Sequence, residues 1–177
     1  CFLENWFKKV LCGFLANDGN RGNYYGFMSA LNKSYLFNFM DNVIVNKVSI
    51  IERCLKRIHE EYQGDAAELK RNFTKQDSVI LNLQRLCEAS IDIANRCLKL
   101  TNGPIPQSSR DSFSQLERMG LLNADLAISM QKMVGLRNIA VHDYLNLNLD
   151  IVIAVLDTHL RDFQQFAVVI MSQDLDK

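Results

Sequence analysis

The feature that most limits the fold is an apolar stripe that begins just after Met40 and repeats at helical spacing. In the segment NVIVNKVSIIERCLKRIHEEYQG, apolar side chains recur at alternating steps of four and three residues for about six turns. This spacing predicts an amphipathic helix that ends at Gly64, a residue type that commonly follows the last turn of a helix. The predicted stripe consists of Ile44, Val48, Ile51, Leu55, Ile58 and Tyr62.

Four further segments have helical patterns, and none shows the alternation of a β-strand. Thr74 is the predicted N-cap of a second long helix, which ends at TNGPIP, where Gly103 and two prolines follow. The segment SSRDSFSQLERMG predicts a short capped helix closed by Gly120, and Asn123 begins another long helix. DIVIAVLDTHLRDFQQFAVVIMSQ predicts a last long helix with Leu160 among its inward residues. The predicted fold is all-α: an antiparallel bundle of four long helices and one short helix.

The first 39 residues differ from the rest of the chain. They contain the single tryptophan, most of the aromatic residues and the helix-breaking cluster NDGNRGNYYG. Two interpretations remain open: an ordered aromatic extension, or a segment that is not part of the natural domain. We favour the second, and we predict that the helical domain comprises residues 40–177.

Composition excludes several classes of protein. Lysines and arginines equal aspartates and glutamates at 20 each, so no overall positive charge attracts nucleic acid, and any RNA contact requires a local site. No apolar run reaches the roughly 18 residues of a membrane span, and no secretory signal pattern is visible, so we expect a cytoplasmic protein. The three histidines lack zinc-ligand spacing. The cysteines form no C-x-x-C pair, and the last three occupy apolar positions typical of small core residues in a reducing compartment: Cys1, Cys12, Cys54, Cys87 and Cys97.

The segment GLRNIAVHDY concentrates polar groups at the end of the penultimate long helix. With about 100° per residue, Arg137 and Tyr144 share one face, and Asn138 and His142 share the adjacent one. The polar groups therefore cover about half of the circumference, which is too wide for a core stripe and suits the wall of a cleft. Because YLNLNLD ends the helix soon afterwards, relaxation of the last turn would bring His142 closer to Arg137. Taken alone, an arginine followed by a histidine most often marks a solvated helix face.

A second polar row lies on the second long helix and includes Glu88 and Asp92. A solvated face with helix-stabilising pairs is the favoured interpretation. The functional alternative places both carboxylates in the same cleft, where they orient its basic groups.

The chain resembles the HepT-type toxins of the HEPN superfamily, whose signature is R-N-x-x-x-H followed by x-Y. Arg137, Asn138, His142 and Tyr144 match every position of that signature. The similarity extends from about Val43 to Met171, through IIERCLKRIHEEY, LNLQRLCEASIDIAN, PQSSRDSF and MVGLRNIAVHDY.

The resemblance implies an endoribonuclease that needs no metal or other cofactor, and the residue types suit that chemistry. Histidine side chains generally titrate near pH ~6.5, so His142 is the candidate that moves the proton of the RNA 2′-hydroxyl. Arg137 is the candidate that binds phosphate oxygens through its planar fork. Asn138 is a supporting residue that orients the histidine or the phosphate. The expected product carries a 2′,3′-cyclic phosphate, since the 2′-oxygen is the nucleophile.

The resemblance also implies two protein partners. HEPN proteins form dimers. The resemblance therefore implies a C2 homodimer whose cleft holds two copies each of Arg137 and His142. The family pairs such toxins with a minimal nucleotidyltransferase antitoxin that transfers AMP to the motif tyrosine, here Tyr144, beside the phosphate-binding arginine. Two other functions remain open: a catalytically silent nucleotide-binding subunit of a two-component nucleotidyltransferase, and a dimerisation bundle without a ligand.

Overall fold

The computed structural model describes residues 41–142, 147–173 and 175 of the 177-residue chain. These residues belong to one compact unit, residues 41–177. The predicted extension, residues 1–39, lies outside the described residues, so the domain boundary at residue 40 stays a prediction.

The described residues form seven helices and no strand, which confirms the all-α prediction. Among these helices, none combines the length and apolar character needed to cross a lipid bilayer. In chain order the helices are α1 (Asn42–Tyr62), α2 (Ala66–Arg71), α3 (Phe73–Leu100), α4 (Ser109–Arg118), α5 (Ala124–His142), α6 (Leu149–Thr158) and α7 (Leu160–Met171).

The long helices α1 and α3 form an antiparallel pair that is fixed near one end by an ion pair. Asp41 caps α1 by accepting hydrogen bonds from the backbone N–H groups of Val43 and Ile44 at 3.0 and 3.1 Å. The same carboxylate accepts from Arg96 Nε of α3 at 3.0 Å. The hydrogen bond from Arg96 is the main reason why the pKa of Asp41 is lowered. The start of α1 is therefore bonded to the last turns of α3.

The core lies where α1, α3, α5 and α7 meet, with α4 packed against α5 and α3. Phe113 of α4 and Phe166 of α7 are fully buried, and their rings meet edge to face with centroids 5.6 Å apart. Tyr62, at the end of α1, donates a hydrogen bond to Asp157 of α6 at 2.7 Å. Aromatic packing and this bond connect the last two helices to the rest of the bundle.

The predicted apolar stripes are largely confirmed. The apolar residues that helical spacing predicts to face inward in α3 and α5 are all buried, and Cys54, Cys87 and Cys97 are free thiols in the core. The buried residues of α3 and α5 that the spacing predicted are Val79, Ile80, Leu83, Leu86, Cys87, Ala94, Cys97, Leu126, Met130, Met133 and Val134. Two predicted inward residues, Leu55 and Leu160, are only half-buried. In α1 the preceding residue, Cys54, is fully buried instead of Leu55.

The predicted N-cap at Thr74 is wrong. The N-cap lies two residues earlier, at Asn72, whose side chain accepts a hydrogen bond from the backbone N–H of Lys75 at 3.2 Å, and helix α3 begins at Phe73. The side chain of Asn72 also donates to Glu68 of α2 at 3.1 Å. Glu68 lies in the short helix α2, which the sequence patterns did not predict.

The predicted last long helix is divided in two at His159. The backbone of His159 has φ −114° and ψ −2°, away from helical values, and the N–H of Asp162 bonds to its carbonyl at 3.1 Å. Asp162 also accepts hydrogen bonds from His159 Nδ1, at 2.8 Å, and from Ser129 of α5. These contacts hold the break and leave Leu160 at the start of α7, half-buried rather than inward.

Candidate active site

Helix α5 carries the motif on two different faces. It stays helical as far as His142, so the expected relaxation of the last turn is not found up to that residue. Because they are five positions apart in a regular helix, Arg137 and His142 project about 140° apart around the helix axis. Arg137 is partly buried, with 23% of its side chain exposed, whereas Asn138 and His142 are exposed. A single copy of α5 therefore does not bring the guanidinium and the imidazole together.

The guanidinium of Arg137 is held by two acceptors. Its Nη2 forms an ion pair with Glu88 Oε1 of α3, and its Nη1 donates to Asn138 Oδ1 at 3.0 Å. Its Nε is buried and has no hydrogen-bond partner in the part of the chain that the structure describes. Because charge-assisted bonds fix the plane of a guanidinium, this arginine is pre-oriented before any substrate binds.

The side chain of Asn138 is hydrogen-bonded to Arg137. The sequence-based expectation was that Asn138 orients His142 or a phosphate, but its side-chain oxygen accepts a hydrogen bond from Arg137. Because the asparagine follows the arginine directly on an exposed part of the helix, it limits how far the guanidinium can turn away from Glu88.

The two candidate carboxylates of α3 have different partners. Glu88 contacts Arg137, in agreement with the alternative in which it orients a basic group. Asp92, one turn further along α3, pairs with Lys47 of α1 at 2.6 Å between Oδ2 and Nζ. Asp92 thus contributes to the contact between α1 and α3, and the structure does not bring it to the motif.

The surroundings of Arg137 are apolar. A small recess beside it lies between α3 and α5, and its walls include Ile80, Leu83, Cys87 and Ala140. Burial raises the pKa of the Cys87 thiol to about 12, so this cysteine is a neutral core residue and not a nucleophile. The apolar wall reduces the screening of the Arg137 charge by water and strengthens its attraction for an anion.

Helix α4 adds a basic side chain that no sequence-based prediction included. The guanidinium of Arg110 lies against α5 at Gly135, where a Cβ atom would approach Arg110 Nη2 to 2.6 Å. A signal for this contact was present in the sequence, because Gly135 lies inside a strongly helical segment. A glycine there points to a close approach by another group.

The predicted modification site, Tyr144, lies outside the described residues, as do residues 143–146 as a whole. Its proposed role therefore stays a prediction. The described chain resumes at residue 147, just before α6.

Comparisons with known proteins agree with the motif. The family model described as ribonuclease HepT-like matches residues 51–170. The chain is 55% identical to the mRNA nuclease HepT of Shewanella oneidensis over 134 residues, which is 76% of this chain and all of that protein.

Solved structures give the same result. The tri-AMPylated HEPN toxin of Shewanella oneidensis, in complex with an MNT antitoxin, superposes with a TM-score of 0.72 at 55% identity, covering 76% of this chain and all of that one. A toxin–antitoxin crystal structure with AMP-PNP gives a TM-score of 0.71 at 56% identity, covering 74% of this chain and 99% of that one. The family predicted from the motif is confirmed. Since its model matches most of the chain and a relative is matched over its full length, this chain belongs to the HepT-like ribonucleases of the HEPN superfamily.

Proposed function

We propose that this chain is the toxin of a toxin–antitoxin pair, an endoribonuclease that cleaves mRNA without a metal ion. The observation that carries the proposal is the pre-oriented Arg137, held by Glu88 and Asn138 within the complete R-N-x-x-x-H signature. The relative that is 55% identical over its full length is an mRNA nuclease, which supports the choice of substrate.

In the proposed reaction Arg137 binds the non-bridging oxygens of the scissile phosphate through its free N–H groups. His142 accepts the proton of the 2′-hydroxyl as the 2′-oxygen attacks phosphorus. The bond from phosphorus to the 5′-oxygen breaks, and the departing oxygen receives a proton from a second imidazole. The products are a 2′,3′-cyclic phosphate and a free 5′-hydroxyl.

The second imidazole requires a second copy of the chain. Arg137 and His142 project about 140° apart on one helix, so one copy supplies the two groups to different surfaces. The exposed surface of α5 also carries Ile128 and Ile139, which are 48% and 45% exposed on the same side as His142. Covering such apolar side chains favours association. A C2 homodimer that joins the two α5 helices would place two Arg137 and two His142 residues around one cleft.

Mutation of the motif tests the nuclease. His142→Ala is expected to abolish cleavage of single-stranded RNA while the dimer persists, because a positioned acid–base group contributes about 10²–10⁴-fold. Cleavage by the unmutated chain should continue in the presence of a metal chelator. Unchanged cleavage by His142→Ala would refute the mechanism. A chain that binds nucleotides through Arg137 but never cleaves RNA would instead be the silent nucleotide-binding subunit.

We further propose that a nucleotidyltransferase antitoxin inhibits this nuclease by transferring AMP to Tyr144. The support comes from the tri-AMPylated toxin in complex with an MNT antitoxin, together with the tyrosine two residues after His142 in this chain. Each adenylate adds negative phosphate near the arginine that binds the RNA phosphate, so inhibition follows from charge as well as from bulk.

Intact-mass measurement tests the modification. Incubation with the antitoxin and ATP should add increments of about 329 Da per adenylate, and these increments should be absent from Tyr144→Phe. Increments that persist in Tyr144→Phe would place the modification on another residue.

A further inference from the structure

Gly135 of α5 and Arg110 of α4 form a contact that depends on the absence of a side chain. A Cβ atom at position 135 would lie 2.6 Å from Arg110 Nη2 and 3.6 Å from its Cζ, and the first of these distances is too short for a real side chain. Arg110 is exposed overall, yet its guanidinium lies close enough to α5 to occupy that space. The contact therefore places a positive charge on the surface of the motif helix.

The backbone of α5 does not itself require this glycine. Positive φ angles among the described glycines occur at Gly64 and Gly120, which close α1 and α4, and not at Gly135. A glycine inside a helix is less favourable than an alanine, because glycine loses more backbone freedom on folding. What Gly135 provides in return is room for the guanidinium of Arg110.

The contact lies on the same face of α5 as the candidate catalytic histidine. Gly135, Asn138 and His142 follow one another at i, i+3 and i+7, so they line one side of the helix. The rise of 1.5 Å per residue separates Gly135 from His142 by about 10 Å along the axis. A strand bound at His142 and running along the edge of this face next to α4 would pass Arg110, while the exposed isoleucines of α5 lie at the other edge.

Arg137 of α5 and Arg110 of α4 differ in their charge environment. Arg137 is paired with Glu88, whereas Arg110 has no hydrogen bond or ion pair with any residue of the described ranges. An unpaired guanidinium keeps all five donors available, and arginine is well suited to planar recognition of phosphate oxygens. The charge of Arg110 is therefore available to a ligand without first breaking an ion pair.

We propose that Arg110, whose guanidinium can lie against α5 because Gly135 has no side chain, binds a backbone phosphate of the RNA strand next to the scissile phosphate. This inference rests on the proposed ribonuclease function and adds a binding residue to it. Arg110 lies outside the signature motif and takes no part in proton transfer, so its contribution is to RNA affinity and to the register of the strand.

The test measures RNA binding separately from cleavage. Fluorescence anisotropy with a labelled single-stranded RNA is performed on the full chain carrying His142→Ala, over a range of salt concentrations. Adding Arg110→Ala is expected to weaken binding about 5- to 10-fold. It should also reduce the slope of log affinity against log salt by about 0.7 for each phosphate of the single strand that the variant no longer binds. Arg118→Ala, at the other end of α4, is the matched control and should keep both values.

Gly135→Ala provides an independent variant that is expected to fold. The new methyl group meets the far end of a flexible side chain, so it displaces the guanidinium of Arg110 rather than the backbone. We expect unchanged or higher thermal stability, because alanine favours helix, together with the same decrease in RNA affinity as in Arg110→Ala. Combining the two substitutions should cause no further decrease.

The outcomes separate this inference from the proposed function. Wild-type affinity and salt slope in Arg110→Ala, or wild-type affinity in Gly135→Ala, would overturn the role of Arg110. If the unmutated chain binds RNA without cleaving it, the nuclease mechanism fails while the Arg110 measurement is still decisive. If it binds no RNA, both proposals fail.

Discussion

At the scale of single residues, the proposed reaction depends on which side chains of the motif are held and which are exposed. Arg137 is fixed by a carboxylate and an amide, and its Nε is buried, so little of its conformational freedom remains to be lost when a phosphate binds. His142 is exposed, as an acid–base group must be to reach an RNA ribose. The ion pair with Glu88 orients Arg137, and in the proposed mechanism it also competes with the phosphate for the same guanidinium.

Replacing Glu88 tests whether it positions Arg137. Glu88→Ala is expected to lower kcat about 10-fold, because the released guanidinium no longer points to the phosphate. Glu88→Gln keeps an acceptor and should restore most of the activity. Asp92→Ala, one turn away and paired with Lys47, is the matched control and should keep kcat. An equal fall in kcat for the Glu88→Ala and Asp92→Ala variants would indicate a general structural effect instead.

Glu52 of α1 makes the stability of the fold depend on pH. Both its carboxylate oxygens are buried without a hydrogen-bond partner within the described residues, and burial raises its pKa from 4.5 to about 7. The folded chain thus binds this proton more tightly than the unfolded chain. The stability due to the protonated form is fully present below about pH 4.5 and is lost as the pH rises through about 7.

Glu52→Gln should remove this component. The unfolding free energy of the unmutated chain should fall between about pH 5 and about pH 8. In Glu52→Gln this fall should be smaller by about 1 kcal/mol, after allowance for solvent screening of a partly exposed side chain. Chemical denaturation at the two pH values measures it. A variant with the wild-type difference would show that another group causes the pH dependence.

At the scale of secondary-structure elements, local caps set the helix boundaries, and several were predictable from the sequence. Ser108 caps α4 by accepting from the backbone N–H of Asp111 at 3.1 Å, and Asp111 accepts in turn from Gln107 N–H at 2.9 Å. Asn123 caps α5 in the same way. Such bonds join residues two to four apart, so the sequence order reveals them. The break at His159 was missed because the apolar spacing continues across it, and because one of its contacts comes from Ser129, thirty residues earlier.

Removing the cap of α4 should destabilise the helix that presents Arg110. Ser108→Ala is expected to lower the unfolding free energy by about 1 kcal/mol, since an orphan backbone N–H loses its partner. Ser114→Ala, in the middle of the same helix, should be neutral or slightly stabilising. Denaturant unfolding of both variants provides the comparison. Equal destabilisation would mean that the Ser108 cap contributes nothing specific.

At the scale of the whole molecule, the bundle presents Arg137 and His142 on different sides of one helix. If two copies share a cleft, a mixed dimer with one intact arginine and one intact histidine at the same phosphate keeps part of the activity and lacks only the second imidazole. If each chain acts alone, both residues must be intact in the same copy. The two arrangements predict different behaviour for dimers that combine two inactive chains.

Mixed dimers distinguish these arrangements. Arg137→Ala and His142→Ala chains with different affinity tags are co-expressed, and the heterodimer is purified through both tags. A shared cleft should give activity about tenfold or more above either parent homodimer, because each chain supplies the group that the other lacks. Activity no greater than that of the parents would contradict a composite site.

The sequence by itself determined the helical class, most of the buried stripe, several caps and the motif, because all of these depend on residue types at spacings of a few positions. The tertiary structure decided which groups meet: Glu88 with Arg137, Arg110 with Gly135, and Ser129 with Asp162. These partners lie 25 to 49 residues apart in the chain. Helical periodicity gives the face on which a side chain lies, but the packing angle and the axial position of a neighbouring helix decide which side chain opposes it.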